Sequence, residues 1–553
     1  MSDFMSATQQ KTMNLSIRLL KDGETPLGSL RANSSLKRVA SESGILFVDQ
    51  SPAKPPNWYG FVEEFAVGAL SPLQNQSCAA VLFLEVISAK YPLPRYVALT
   101  FGTGHHALNP DSFERRFGLR VALNCIARVN LKGLDIATLD ATTFQKRIQA
   151  SRSSDLQGFG LDVERDLLRL VAGVPDDAGF AKAIAGKDAL SIISLISPDD
   201  VAGKCKMALD LYYCDDYKRD YSWVDLIAPV PDKVTVSLLD DLIYREVLAI
   251  LGGGFSDLHL ALPDILSIED SYELAYFGVG LKSGKKNVCS ELLIDDYIEQ
   301  IRQGRPLDIS NIGIIKDSHE VRVVVNGSGD RAQRQKIYDC FVFEVVFKGL
   351  NYVLFGGLWY LIDNIFYKDV EAEFVRVVSA TPIVLNTFSK NERDFIVELD
   401  KDPDLLNLDQ VKISPLGTVN SNLEPCDFLC KQKRFIHLKD GHSSAPISHL
   451  WNQGLVSAES FSRDSKFRKD LRVAILRREK LSSKNGFLSL TPSRSTTKPK
   501  SSEYKIVFGI MRHRYKKTGR LGLPFFSKVS LRSVVKSIEL MGYAVEVHLI
   551  EKL

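Results

Sequence analysis

Long apolar runs are what this 553-residue chain conspicuously lacks. No stretch approaches the roughly 18 consecutive apolar residues of a membrane-spanning helix, so a helical membrane protein is not expected. The first residues, MSDFMSATQQKTMN, are polar and have no apolar core of the kind a secretory signal carries. Cysteine is sparse: eight residues are scattered along the chain, without the spacing of a disulfide framework. Reduced thiols in a bacterial-type cytoplasm are the expectation. No internal repeat is visible, and no G-x-S-x-G elbow exists for a serine hydrolase. The segment Phe101-Gly102-Thr103-Gly104-His105-His106 has neither the third glycine nor the lysine of a phosphate loop, and reads as a glycine-bearing strand end.

What is present is the composition of a folded globular protein, 45% hydrophobic and 25% charged, and long enough for about two to four domains. The net charge of +3 conceals an asymmetry. Residues 431–553 carry 26 Lys+Arg against 9 Asp+Glu, a net of +17, whereas the remainder carries 44 against 58. A strongly basic end points to a polyanion such as nucleic acid; its plainer meaning is a basic domain docking on an acidic one.

The pattern predicts a mixed α/β (α+β) multidomain protein. Residues 1–150 read as β-rich, with strands over 15–19, 44–48, 79–86 and 96–101. A helix is expected over 109–126, and residues 151–330 read as largely helical, with a helix over 161–171. In that region Asp240 and Asp241 are adjacent acids, better read as a solvated helix start than as metal ligands. A hairpin is expected over 341–362, followed by a helix capped by Asp363 with an apolar stripe of Ile365, Phe366, Val370, Phe374 and Val377. Residues 331–553 form the basic domain. It runs as a short helix from Asn391, strands over 405–413, 423–429 and 434–439, a helix from Ser444, a basic helix over 464–479 and a mobile basic loop over 480–503. A strand, a helix and a last strand close the chain.

That helix–strand–strand–strand–helix–strand order resembles the restriction-endonuclease-like core of the PD-(D/E)XK nucleases. The resemblance implies that a helix acid, a second-strand acid and an acid-x-Lys on the third strand hold Mg²⁺ or Mn²⁺ and act on phosphodiesters. By position, Glu392 matches the helix acid, Asp427 the strand acid and Lys439 the lysine, with Glu424 an additional acid. His437 stands where the pattern has an acid. The expected metal ligands are therefore Glu392, Glu424, Asp427 and His437, and the expected catalytic group is Glu392, Asp427, His437 and Lys439. Ser443, Ser444, His449 and Gln453, at the start of the next helix, are the expected phosphate seat. A rival set, Cys426, Cys430, His437 and His442, is spaced too tightly for a zinc finger.

Five segments together carry a wider resemblance. They are TFGTGHHALNPDSFERRFGLRVALN (100–124), GFGLDVERDLLRLVAGVP (158–175), YVLFGGLWYLID (352–363), FIHLKDGHSSAPISHLWNQGLVSAE (435–459) and LPFFSKVSLR (523–532). The chain resembles the "sporadically distributed" bacterial protein family, a family of unknown function. That resemblance implies a patchy distribution, like that of mobile-element and phage-defence genes, with neighbouring defence-gene products as partners. The functional expectation is a nucleic-acid-binding protein whose C-terminal domain cleaves with a divalent metal. A catalytically degenerate binding or adaptor protein is the alternative.

Overall fold

The computed structural model describes residues 10–56, 58–66, 70–138, 144–254, 256–263, 272–282, 289, 292–325, 333–414, 423–441, 444–514 and 519–553. The fold is mixed α/β. The chain divides into two compact units, Met1–Ala137 with Gln145–Asp225, and Thr138–Phe144 with Leu226–Leu553.

The first unit is built on a ten-stranded sheet. Alternation is clear in Lys11–Leu19, where Leu15, Ile17 and Leu19 are buried and pair between Arg95–Gly102 and Leu190–Ile196. The expected strands at 15–19, 44–48, 79–86 and 96–101 are all present. The expected helix at 161–171 is a strand, Asp166–Gly173, and Ala183–Gly186 and Leu190–Ile196 follow it into the same sheet. Leu167, Leu168 and Val171 fit a helix face as well as a strand buried on both sides, and pairing with distant strands decided the matter. The helix Phe117–Cys125 crosses this sheet where two glycines meet. A Cβ on Gly186 would lie 1.9 Å from the Gly118 carbonyl oxygen, so a side chain there would push the layers apart.

In the second unit, residues 341–362 form a three-stranded meander rather than a hairpin: Phe341–Phe347, Leu350–Phe355 and Leu358–Ile362. Each turn has two residues at positive φ, Lys348-Gly349 and Gly356-Gly357. That geometry matches the twist of tight hairpins. Asp363 caps the helix Asn364–Val377 as expected, and Phe366, Val370, Phe374 and Val377 are buried, but Ile365 is exposed. Asp240 is not solvated. It lies buried within the helix Lys233–Leu251 and accepts hydrogen bonds from the Tyr338 hydroxyl, the Trp359 indole (2.9 Å) and Lys316 (2.8 Å).

The C-terminal part of this unit is a six-stranded sheet. Its strands are β1 (Asn386–Thr387), β2 (Leu405–Asn407), β3 (Phe428–Cys430), β4 (Arg434–Asp440), β5 (Lys505–Arg512) and β6 (Ala544–Lys552), in the order β1-β6-β5-β4-β3-β2. β3 runs antiparallel to its neighbours β2 and β4, and all the other pairings are parallel. Helix α1 (Glu392–Leu399) buries Phe395, Ile396 and Leu399 on one face, against Ile436, Leu438 and Val507. The other face carries α2 (Ser444–Arg463), α3 (Ser465–Ser482) and α4 (Phe525–Leu540), packed on Phe435, Ile506 and Phe508. The central strands thus bury both faces, which explains their nearly unbroken apolar runs. Residues 480–503 are not a mobile loop: Phe487 is fully buried, and side chains of α3 hold the loop's carbonyls.

Candidate metal centre

The acids meet where β3 begins, because the regular ladder stops there. The Leu438 N–H donates to Asp427 Oδ2 at 2.6 Å, while the Asp427 N–H donates to the Ile436 carbonyl and the Asp427 carbonyl accepts from Leu408 N–H. Asp427 is thus wedged between the end of β2 and the end of β4. The preceding turn is pinned by Ser457 of α2, whose hydroxyl donates to the Pro425 carbonyl. A bridge between Ile413 and Leu423 returns the chain so that Glu424 faces the same point.

Carboxylate oxygens of Asp409, Glu424 and Asp427 lie within 4.8 Å of one another. Glu392, in the first turn of α1, holds Lys439 at 3.0 and 3.1 Å through its two oxygens. Burial pushes Asp427 up to about 8, with repulsion from Asp409, Glu392 and Glu424 adding to it and the Leu438 N–H opposing it. Glu424 is raised by burial and then by Asp409, and Asp409 by burial and then by Glu392. Lys439 works against both of these shifts. Lys412 also lowers Glu424 and Arg478 also lowers Asp409, yet burial and mutual repulsion leave Asp409, Glu424 and Asp427 all raised, a state that a bound cation would relieve. All three clustered donors are carboxylate oxygens, the chemistry preferred by hard divalent cations.

Among the expected residues, Glu392, Glu424, Asp427 and Lys439 come together here. His437 does not join the oxygen cluster. It is buried beside Phe508 on the α2 side of β4, burial holds it down to about 3, and its Nε2 has no hydrogen-bond partner. Ser443 and His442 lie outside the described residues, and so does the side chain of Ser444. His449 is exposed and Gln453 half-buried on α2, with no hydrogen bond to the acids. Cys426 and Cys430 are buried thiols raised by burial, and neither belongs to the cluster.

Sequence reasoning missed Asp409, because 405–413 reads as one strand. The strand stops at Asn407, whose side chain accepts from Asp409 N–H at 3.0 Å, and Gln410 adopts a left-handed conformation at φ 60°. The N-x-D-Q spacing was the available signal.

A family of unknown function (DUF6119) matches residues 15–551, nearly the whole chain. The chain belongs to this family. No curated protein and no solved structure matches it. As a member of DUF6119 the protein acquires no activity from its relatives, so the arrangement of its own residues carries the functional argument.

Proposed function

We propose that the C-terminal sheet binds nucleic acid and hydrolyses its phosphodiester bonds with a divalent cation, Mg²⁺ or Mn²⁺, held by Asp409, Glu424 and Asp427. The observation that carries this reading is the three-carboxylate cluster within 4.8 Å, beside a lysine ion-paired to a fourth acid. The element order α1-β2-β3-β4-α2 followed by β5 supports the likeness to the PD-(D/E)XK core, as does the placement of Asp427 immediately before β3 and Lys439 on the adjacent antiparallel β4. Asp409 supplies the acid that the pattern lacks at His437.

In this reading the cation activates water and screens the scissile phosphate. Lys439 gives a charge-assisted hydrogen bond to a non-bridging phosphate oxygen. Glu392 aims the Lys439 ammonium, and the Leu438 N–H orients Asp427. The experiment is cleavage of labelled DNA and RNA with Mg²⁺ or Mn²⁺ by the wild type, Asp427→Asn and Lys439→Met. The reading predicts loss of at least about 100-fold in rate in each variant. Equal rates in all three proteins, or no cleavage with either metal, would remove the catalytic claim.

The degenerate alternative is favoured by one observation, the buried neutral His437 in the acid's place. It predicts salt-sensitive binding without cleavage.

A further inference from the structure

The basic residues of the C-terminal part fall into two populations. Many are consumed inside the fold. Arg478 donates to the Asp409 carbonyl at 2.6 Å, Lys484 holds Asp400 and the Leu405 carbonyl, and Lys505 pairs with Glu546. Others are exposed with side chains that make no hydrogen bond or ion pair, among them Lys536 on α4 and, in a group, Lys469, Arg477, Lys480, Arg494 and Lys498. The last five lie on α3 and the loop that follows it.

At about 100° per residue, Lys469, Arg477 and Lys480 fall within one arc of about 80° on α3. The opposite side buries Phe467, Leu471 and Ile475. Arg468 donates to the Ser495 carbonyl at 2.7 Å, and Arg472 donates to Thr491 Oγ1 and the Pro492 carbonyl, both at 2.8 Å. These bonds lay the loop along the flank of α3, so that Arg494 and Lys498 extend the same basic ledge. Arg478, on the buried side of α3, ties the helix to the loop that carries Asp409, so the ledge and the acidic centre are borne by the same helix–sheet layer.

We propose that this ledge is a backbone track for duplex nucleic acid. The proposal rests on the reading of the acidic centre given above and names the form of its substrate. Lys469 to Lys480 span about 16 Å of helix, which matches about five steps of a duplex at about 3.4 Å each. The exposed residues of the ledge include no aromatic ring, since Phe487 and Tyr504 are buried. Single-strand binders stack bases on aromatic rings, so a ledge without them reads charge and spacing. Val473 and Leu476 are exposed between the cations, which makes an anionic membrane the competing partner.

The test is binding of the full chain in EDTA, where no cleavage interferes. The probes are a labelled 24-base-pair DNA duplex, one of its single strands, and vesicles of phosphatidylserine and phosphatidylcholine. The expected result is preference for the duplex, with a salt dependence whose log–log slope falls by about 4 when all five residues become Ala. Lys469→Glu with Arg477→Glu should weaken binding at least tenfold, whereas Lys37→Ala with Arg38→Ala in the first unit should leave it unchanged. Thermal unfolding confirms that each variant is folded. An unchanged affinity or slope in the five-residue variant, tighter binding of the single strand, or binding to vesicles in place of the duplex would overturn the proposal. Failure of the catalytic reading looks different: duplex binding persists in EDTA and no metal produces cleavage.

Discussion

A carboxyl group pushed up to about 8, with three other acids around it, favours the folded state in its protonated form. As pH rises from the usual carboxylate value of about 4 toward 8, the unfolded chain has already lost that proton and folded stability falls. The wild type should therefore lose thermal stability between pH 5 and pH 8 in EDTA, and Asp427→Asn should flatten that loss. Differential scanning fluorimetry across the range checks it, and identical slopes in the two proteins would contradict the coupling. His437 has the opposite sign. Held down to about 3, it costs stability as pH falls below its ordinary value of about 6.5. His437→Leu should remove that acid-side loss and, by eliminating an unpartnered buried nitrogen, raise stability at pH 7 by about 1 kcal/mol. Divalent binding should be unaffected. Loss of that binding would return His437 to the ligand set.

Among the elements, those read correctly from sequence are specified locally. Asp363 and Asn391 cap their helices through their own side chains, β5 is a long apolar run, and β6 follows the turn at Gly542 that ends α4. What escaped detection depends on distant partners. Residues 166–173 became a strand through nonlocal pairing, and Asp240 is legible as a buried acid only once Tyr338, Trp359 and Lys316 are beside it. The centre was legible in part for the same reason. Glu424, Asp427 and Lys439 lie on one short stretch of chain, just before and on the β3–β4 hairpin, whereas Asp409 arrives from a strand end with an irregular turn. Asp240→Ala strands two buried donors and a cation and should cost about 3–5 kcal/mol by denaturant unfolding. Exposed Asp241→Ala should stay within about 0.5 kcal/mol. Similar costs at the two positions would contradict the buried hub. Arg468→Met should release the 484–498 loop to trypsin, because the Arg468 bonds to the Phe461, Ser462 and Ser495 carbonyls hold it. Unchanged cleavage kinetics would show the loop to be held by other contacts.

For the molecule as a whole, the basic C-terminal end is divided in its use. Part of its charge stitches helix, loop and sheet together, and a further part lies on an exposed ledge of α3 and the loop that follows it. In the proposed reading the acids call for a cation and the ledge attracts a polyanion. The central claim is that Asp409, Glu424 and Asp427 hold a divalent cation. Calorimetric titration of the full chain with Mn²⁺ at pH 7 tests it most directly, repeated in buffers of different ionisation enthalpy. The account predicts one site, proton release on binding because Asp427 must ionise, and loss of the site in Asp409→Asn, Glu424→Gln and Asp427→Asn. No binding, or binding indifferent to all three substitutions, would contradict it.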